Sequence, residues 1–380
     1  MIYFDNAATS YPKPEILYQE IGHRMKKYGA NPGRAGHEFG LRTNRAIYET
    51  RESLNQIFNG INPLHFIFTA NATESINLVI LGLLKDGDHV IATETEHNSV
   101  LRPLELAKTR GVRVSYVSVD DSGWIDPKDI EKEICPQTKL VVCTHASNVT
   151  GAIQPIEEVA VITKARGVLF MVDAAQSAGI IPIDLATTKI DFLAITGHKS
   201  LYGPQGIGAL YVRDPKSLPV IKTGGTGSRS SELIQPDVMP DRFESGTLNT
   251  PGILGLQMGL DFVQSRGQDK LYIQEYELVQ VLMKGLDKIP GVEIYGPAIG
   301  QPRVPVVSFN IGDLDSAEIS YVLDDKFEIV TRGGLHCAPL IHKRMGTLGQ
   351  GALRVSIGAF NVREEIDRLL EGILAIQKMT

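Results

Sequence analysis

Cysteine is scarce in this chain. Its 380 residues hold three, Cys135, Cys143 and Cys337, too few and too scattered for a disulfide framework. No C-x-x-C pair occurs, so a metal site would have to recruit histidines from distant segments, and none is expected. Long apolar runs are missing too: no stretch of about 18 apolar residues is available to span a membrane. The start, Met1-Ile2-Tyr3-Phe4-Asp5-Asn6, lacks the basic and apolar regions of a signal peptide. Positive charge is not in excess. The net charge is -6, without a basic stripe, which argues against nucleic acid as the main partner. No G-x-x-x-x-G-K-[ST] sequence is present, and Gly203, Gly206 and Gly208 do not keep the dinucleotide-binding spacing. A cytoplasmic protein with neither nucleic-acid nor membrane partners is the expectation.

What is present is a large apolar content, 43% of residues, enough for a well-buried core. The length suggests two domains, or a large one with a smaller one attached. A short strand near Tyr3 runs into small residues, and Pro12-Lys13-Pro14 breaks it. Helical patterns cover Glu15 to Tyr28 and Leu41 to Phe58, joined by the turn-rich segment from Asn31 to His37. Strand patterns then alternate with helices: His65–Thr69, His89–Thr93, Val112–Val119, Lys139–His145, Val168–Asp173, Asp191–Ile195 and Ile207–Val212. These β-branched and aromatic runs read as strands buried on both faces of a largely parallel sheet, so the class is α/β. Cys143 falls inside one of them and reads as core, whereas Cys135 sits in a polar turn.

In such sheets ligands gather at the carboxyl ends of the strands. Following these ends in turn gives Thr73 and Glu74, His97, Asn148, Asp173, and then Thr196-Gly197-His198-Lys199. Thr73 opens a helix, where backbone N–H groups and the dipole suit a phosphate, or where the threonine is an ordinary N-cap. His97 can stack on a flat ligand or be a solvated loop residue. Asp173 ends a buried strand and needs a partner such as a protonated ring nitrogen or an arginine. Lys199 is either a turn lysine or a nucleophilic amine; desolvation and a nearby cation, for instance a protonated His198, would favour the neutral form. An aspartate and a lysine at neighbouring strand ends, with phosphate-ready turns, suggest pyridoxal phosphate.

The most specific segments are Asp173-Ala174-Ala175-Gln176, Thr196-Gly197-His198-Lys199 and Arg332-Gly333-Gly334-Leu335-His336-Cys337-Ala338-Pro339. With these the chain resembles the class V aminotransferase family, and within it the group II cysteine desulfurases, which include selenocysteine lyases. The likeness runs from Asp5-Asn6-Ala7-Ala8 to Arg354-Val355-Ser356 and beyond. It implies a fold-type I pyridoxal-phosphate enzyme: a mostly parallel seven-stranded sheet in a large domain, 15–255, and a smaller α/β domain made of 1–14 with 256–380. It also implies conversion of L-cysteine to L-alanine through a persulfide on Cys337, with the sulfur serving iron–sulfur cluster or other thio-cofactor synthesis. Selenocysteine lyase, cysteine sulfinate desulfinase and other reactions of the family are the alternatives.

The resemblance also implies roles. Lys199 matches the lysine that forms the cofactor's Schiff base, Asp173 the partner of its ring nitrogen, and Gln176 the contact to its phenolic oxygen. His97 matches the stacked ring, Thr73, Thr196 and His198 the phosphate contacts, with Glu74 supplying backbone, and Asn148 a contact to ring and substrate. Arg354 matches the arginine that holds the substrate carboxylate, and Arg34 an arginine of the substrate-binding N-terminal loop. Thr247 matches a threonine reaching the partner subunit's phosphate, which implies a homodimer with shared sites; a separate protein usually accepts the sulfur. Two positions depart from the family pattern: Gly33 and Leu335 stand where histidines are common. On the residues themselves, Cys337 is either a small buried filler or a nucleophile, and its loop of glycines, arginine, histidine and proline favours the nucleophile. Only a thiolate attacks well, so that loop must supply a base or positive charge, from His336, Arg332 or the bound cofactor. Arg354 could instead make a strand-edge salt bridge.

Overall fold

The seven apolar runs form one sheet. The computed structural model describes residues 1–32 and 36–378. Across the sheet the strands are Phe66–Thr69, Gly208–Val212, Phe192–Thr196, Leu169–Asp173, Thr138–Thr144, His89–Thr93 and Arg113–Val117. Every neighbouring pair is parallel except those made by Gly208–Val212, which runs antiparallel to both of its partners. The run expected over Val112–Val119 is shorter, because Val119 leaves the sheet to make an isolated bridge with Ile125.

Alternation of side chains explains why these runs read as unbroken apolar stretches: both faces are covered. Phe170 and Leu193 point into one core with Leu54, Phe58 and Leu256, while Met171 and Phe192 point into another with Ile76 and Val79. Cys143 belongs to the first core and is fully buried; Cys135 is half-buried in the turn that precedes the same strand. Close approach fixes Gly208, where a Cβ would lie 2.7 Å from the Ile195 oxygen and 2.8 Å from the Asn71 Cα. The strand that Gly208 opens can therefore press against both the lysine strand and the start of helix Ala72–Leu83.

The rest of the chain builds a three-stranded antiparallel sheet, with Val306–Ile311 between Val292–Tyr295 and Leu353–Ser356. Helices Gln268–Leu286, Ser316–Phe327 and Arg363–Gln377 enclose its core of Leu282, Phe309, Leu323, Val355 and Leu369. The amino-terminal strand, Ile2–Tyr3, pairs with Ile329–Val330, so the first residues lie against the last third of the sequence. Helix Glu15–Lys27 sits as expected. Its successor starts at Glu38, three residues before the expected Leu41, because the His37 side chain accepts the Gly40 N–H at 3.1 Å and caps it.

Candidate active site

Five strands, ending at Thr69, Thr93, Thr144, Asp173 and Thr196, deliver their carboxyl ends to one edge of the sheet. After Thr196 the chain turns tightly: Tyr202 N–H donates to the Lys199 oxygen at 2.8 Å, and Gly203 N–H to the Gly197 oxygen at 2.8 Å. Donors from the amino-terminal segment converge on the His198 carbonyl, namely Ser10 N–H at 3.0 Å, Thr9 Oγ1 at 3.1 Å and Lys13 Nζ at 2.6 Å. The lysine turn is thus pinned from outside, while the Lys199 amine lines a cavity and donates to no described side chain or carbonyl.

Burial lowers the Lys199 amine from 10.5 to about 8; Asp173 opposes this and the guanidiniums of Arg354 and Arg332 assist it. The helping cations are therefore arginines. His198 does not join them: burial, with Lys199 and Lys13 nearby, holds its imidazole down at about 4, so the expected protonated His198 is neutral near pH 7.

Asp173 is 3% exposed, and its Oδ1 accepts the Ala175 N–H at 2.9 Å. Burial raises its pKa, opposed by that N–H and by Lys199. His97 caps helix Asn98–Lys108 by accepting the Ser99 N–H on Nδ1 at 3.0 Å, which leaves Nε2 to carry the ring hydrogen. Burial and four surrounding cations hold it at about 4, so it presents a neutral ring. Gln176 Nε2 donates to the Ala7 oxygen at 3.0 Å, tying the strand-end turn to the amino-terminal segment. The N-cap of helix Ala72–Leu83 is Asn71 rather than Thr73: Asn71 Oδ1 accepts the Glu74 N–H at 2.9 Å. That bond engages the Glu74 amide, and the Glu74 carboxylate accepts the Ala70 N–H at 2.6 Å.

The cysteine arrives from the other side. His336 and Cys337 both have left-handed backbone, with φ of 48° and 58°, a strained arrangement for two consecutive residues other than glycine. It is held at several points: Asn148 Nδ2 donates to the His336 oxygen at 2.7 Å, Asn98 N–H to the Cys337 oxygen at 2.7 Å, and Gly334 N–H to Ser316 Oγ at 3.1 Å. Cys337 itself is exposed. Burial first, and then Arg354, keep His336 uncharged, down at about 2, so Arg332 is the cation of this loop.

Arg354, on strand Leu353–Ser356, is 2% exposed. Its Nη2 pairs with Asp5 Oδ1 at 2.6 Å and its Nη1 donates to the Asn148 oxygen at 3.2 Å, while its buried Nε has no partner. The salt-bridge reading thus describes one side of this guanidinium. Its position in the cavity wall describes the other.

Thr73, His97, Asn148, Asp173, Gln176, Thr196, His198, Lys199, Cys337 and Arg354 line one cavity of about 220 Å³. Glu74 lies outside that lining. Thr247 is exposed and lines a separate depression beside helix Glu38–Ile57. Arg34 falls outside the described residues. Asp5 marks the start of the family likeness but carries no role in the sequence reading; an acid among small residues, 349 positions from its arginine, gives no local signal of that pairing.

A mostly parallel α/β sheet that offers a lysine, an aspartate and phosphate-ready turns at one edge defines an aminotransferase-like enzyme. The chain belongs to the class-V aminotransferase family, whose model matches residues 2–369. It is 38% identical to a probable cysteine desulfurase of Pyrococcus abyssi (strain GE5 / Orsay), over 98% of this chain and 93% of that protein. It is 31% identical to a cysteine desulfurase of Pectobacterium atrosepticum, over 100% of this chain and 94% of that protein. Its fold matches the apo structure of a cysteine desulfurase from Thermococcus onnurineus NA1 with a TM-score of 0.90 and 34% identity, covering 100% of this chain and 95% of that one.

Proposed function

We propose that this chain is a pyridoxal-phosphate-dependent cysteine desulfurase that converts L-cysteine to L-alanine and takes the sulfur as a persulfide on Cys337. The observation that carries this reading is the meeting of Lys199, Asp173, Arg354 and Cys337 in one cavity, from segments up to 181 residues apart (354 − 173). The cavity suits the cofactor in its unpaired groups: Thr196 Oγ1 and His198 Nδ1 are buried without partners, fitting a phosphate beside the N-terminus of helix Ala72–Leu83. Asp173 fits a protonated pyridine nitrogen, the neutral His97 ring a stacking face, and Lys199 the group that would hold the cofactor covalently. When bound, pyridoxal phosphate supplies an electron sink for breaking bonds at the amino-acid Cα.

This chain's own residues do the remaining work. Arg354 grips the substrate carboxylate and so fixes the direction of the Cα–H bond. The Lys199 amine, poised near neutrality, takes the Cα proton. The Cys337 thiolate attacks the substrate sulfur; a sulfur–sulfur bond forms, the carbon–sulfur bond breaks, and its electron pair goes to Cβ, which gains a proton on the way to alanine. Arg332, in the wall of the same cavity, is the cation of the loop that carries Cys337. The division into 15–255 and 1–14 with 256–380 sets the catalytic lysine in the larger unit and the cysteine in the smaller. A homodimer follows from the same reading, with Thr247 and the exposed Leu41 on the face given to the second copy. The reading also makes the chain a cytoplasmic donor of sulfur to a separate acceptor protein, for iron–sulfur cluster or other thio-cofactor synthesis. No helix among the described residues is long and apolar enough to cross a membrane.

The test follows alanine and sulfide from L-cysteine, with a reductant, for the wild type and Cys337→Ala in parallel. Both products are expected from the wild type and neither from the variant. Equal alanine from both proteins would remove the persulfide step and point to selenocysteine- or sulfinate-type chemistry, in which the Cys337 thiol is dispensable.

A further inference from the structure

Next to the reactive turn lie two imidazoles whose second nitrogens are left over. His336 is 4% exposed and His342, on the short helix Pro339–Arg344, is 0% exposed; their ring centres are 5.7 Å apart with planes inclined at 43°. Each ring uses one nitrogen. His336 Nε2 lies 2.9 Å from the Ala352 oxygen, and a carbonyl only accepts, so Nε2 carries the hydrogen and Nδ1 is a bare lone pair in the neutral ring. His342 Nδ1 lies 2.8 Å from Thr347 Oγ1. The two remaining atoms, His336 Nδ1 and His342 Nε2, are both buried and without a partner among the described residues. Burial holds the rings at about 2 and about 4, with Arg354 and Arg332 further disfavouring a charge on His336, so both are neutral at working pH.

A buried polar atom left unpaired is destabilising, and two on adjacent rings call for a common partner. One water satisfies both, since it can donate to His336 Nδ1 and either donate to or accept from His342 Nε2. The consequence reaches the nucleophile through one peptide unit. His336 and Cys337 occupy consecutive left-handed conformations that persist only where the surroundings over-determine them. The backbone oxygens of both residues are held by Asn148 and Asn98, and the His336 ring adds a further anchor through the Ala352 oxygen.

We propose that His336 and His342 are joined through one buried water, and that His342 is thereby a positioning residue that keeps Cys337 aimed into the cavity. The kinetic consequence rests on the desulfurase reading; the tautomer and the joining hydrogen bond do not.

The decisive experiment is nitrogen NMR of histidine-labelled holoprotein together with steady-state kinetics. The His336 signals should show hydrogen on Nε2 and a hydrogen-bonded, bare Nδ1. In His342→Phe the Nδ1 hydrogen bond should vanish, and kcat for alanine formation should fall about tenfold with KM unchanged, since Arg354 still holds the substrate. His342→Gln, which keeps a polar group within reach of the water, should recover at least half of that loss and covers the case in which the phenylalanine variant does not fold. A wild-type His336 carrying its hydrogen on Nδ1, or a folded His342→Phe with kcat within twofold of wild type, would overturn the proposal. If wild type shows the stated tautomer and hydrogen bond but turns over no cysteine, the joined pair stands and the desulfurase reading fails.

Discussion

Two regions of the molecule each bury an arginine almost completely and treat it in opposite ways. Arg303 is 0% exposed and has no carboxylate partner among the described residues, yet every nitrogen is used. Its Nε and Nη2 donate to the Val306 oxygen at 3.1 and 2.8 Å, Nη1 to the Pro297 oxygen at 2.8 Å, and Nη2 also to the Thr150 and Tyr295 oxygens at 2.7 and 3.3 Å. Arg354 is paired with a carboxylate, yet it keeps a buried N–H free. Saturation marks the first as part of the framework, holding the loop beside Asn148 against the three-stranded sheet. The open valence marks the second as waiting for an anion, which a substrate carboxylate would supply. Burial alone does not separate structural from functional polar groups; unused hydrogen-bonding capacity does.

The contrast breaks most visibly at Arg303. Arg303→Met keeps the stem but leaves the Thr150, Pro297 and Val306 oxygens without this donor in the interior, at about 1 kcal/mol or more each, so the free energy of unfolding in urea should fall by at least about 3 kcal/mol. Protein that still folds should process cysteine with nearly normal kcat and KM. A variant that melts normally but loses activity would put Arg303 in the same category as Arg354.

Arg354→Lys should do the reverse. A lysine retains the charge opposite Asp5 but cannot present two parallel N–H groups to a carboxylate. We expect kcat/KM for cysteine to fall about 100-fold, or about 2.7 kcal/mol, with the thermal midpoint almost unchanged. Equal losses of stability and activity would show that the pairing with Asp5, rather than an open valence, is the main business of this side chain.

Much of this contrast was legible in the sequence on one side only. The sheet could be read because each strand is a local apolar run, and its lysine, aspartate and asparagine could be placed because they follow those runs immediately. Thr73 is different. A threonine at a helix start looks like a cap, and only the folded chain shows that Asn71 takes that role and leaves Thr73 in the cavity wall. His198 is neutral first because the fold buries it and then because Lys199 and Lys13 stand close, and neither the burial nor the approach of Lys13, 185 residues away, is visible in the local sequence. Arg303 has no signature at all: the oxygens it binds are backbone carbonyls from three segments, which any sequence supplies.

Loading of the cofactor probes the cavity directly. Only a neutral amine on Lys199 can react with the cofactor aldehyde, so the initial rate, followed by the growth of visible absorbance, should rise about tenfold per pH unit and level off near pH 8. Removing one of the assisting cations with Arg332→Gln should move that midpoint upward. A midpoint near 10.5, the value of an unperturbed lysine, would mean that enclosure and the two arginines leave the amine untouched.

The smallest effect concerns a buried carboxyl in the framework. Glu275 is 1% exposed, and its Oε1 accepts the Tyr202 hydroxyl at 3.2 Å, while the Tyr202 oxygen accepts the Ala359 N–H at 2.8 Å. This chain of bonds ties the turn that follows Lys199 to the segment that follows Arg354. Burial raises Glu275 from 4.5 to about 8, with the Tyr202 bond opposing. Between those values the native protein holds a proton that the unfolded chain has shed, so the native state binds more protons and loses stability as pH rises through the window. Glu275→Gln, which keeps the shape and cannot ionise, escapes that loss. Its thermal midpoint relative to wild type should therefore climb between pH 5 and pH 8, by about 2 °C. A gap that is the same at both pH values would mean that Glu275 is ionised in the fold, and that the Tyr202 bridge is held by a carboxylate after all.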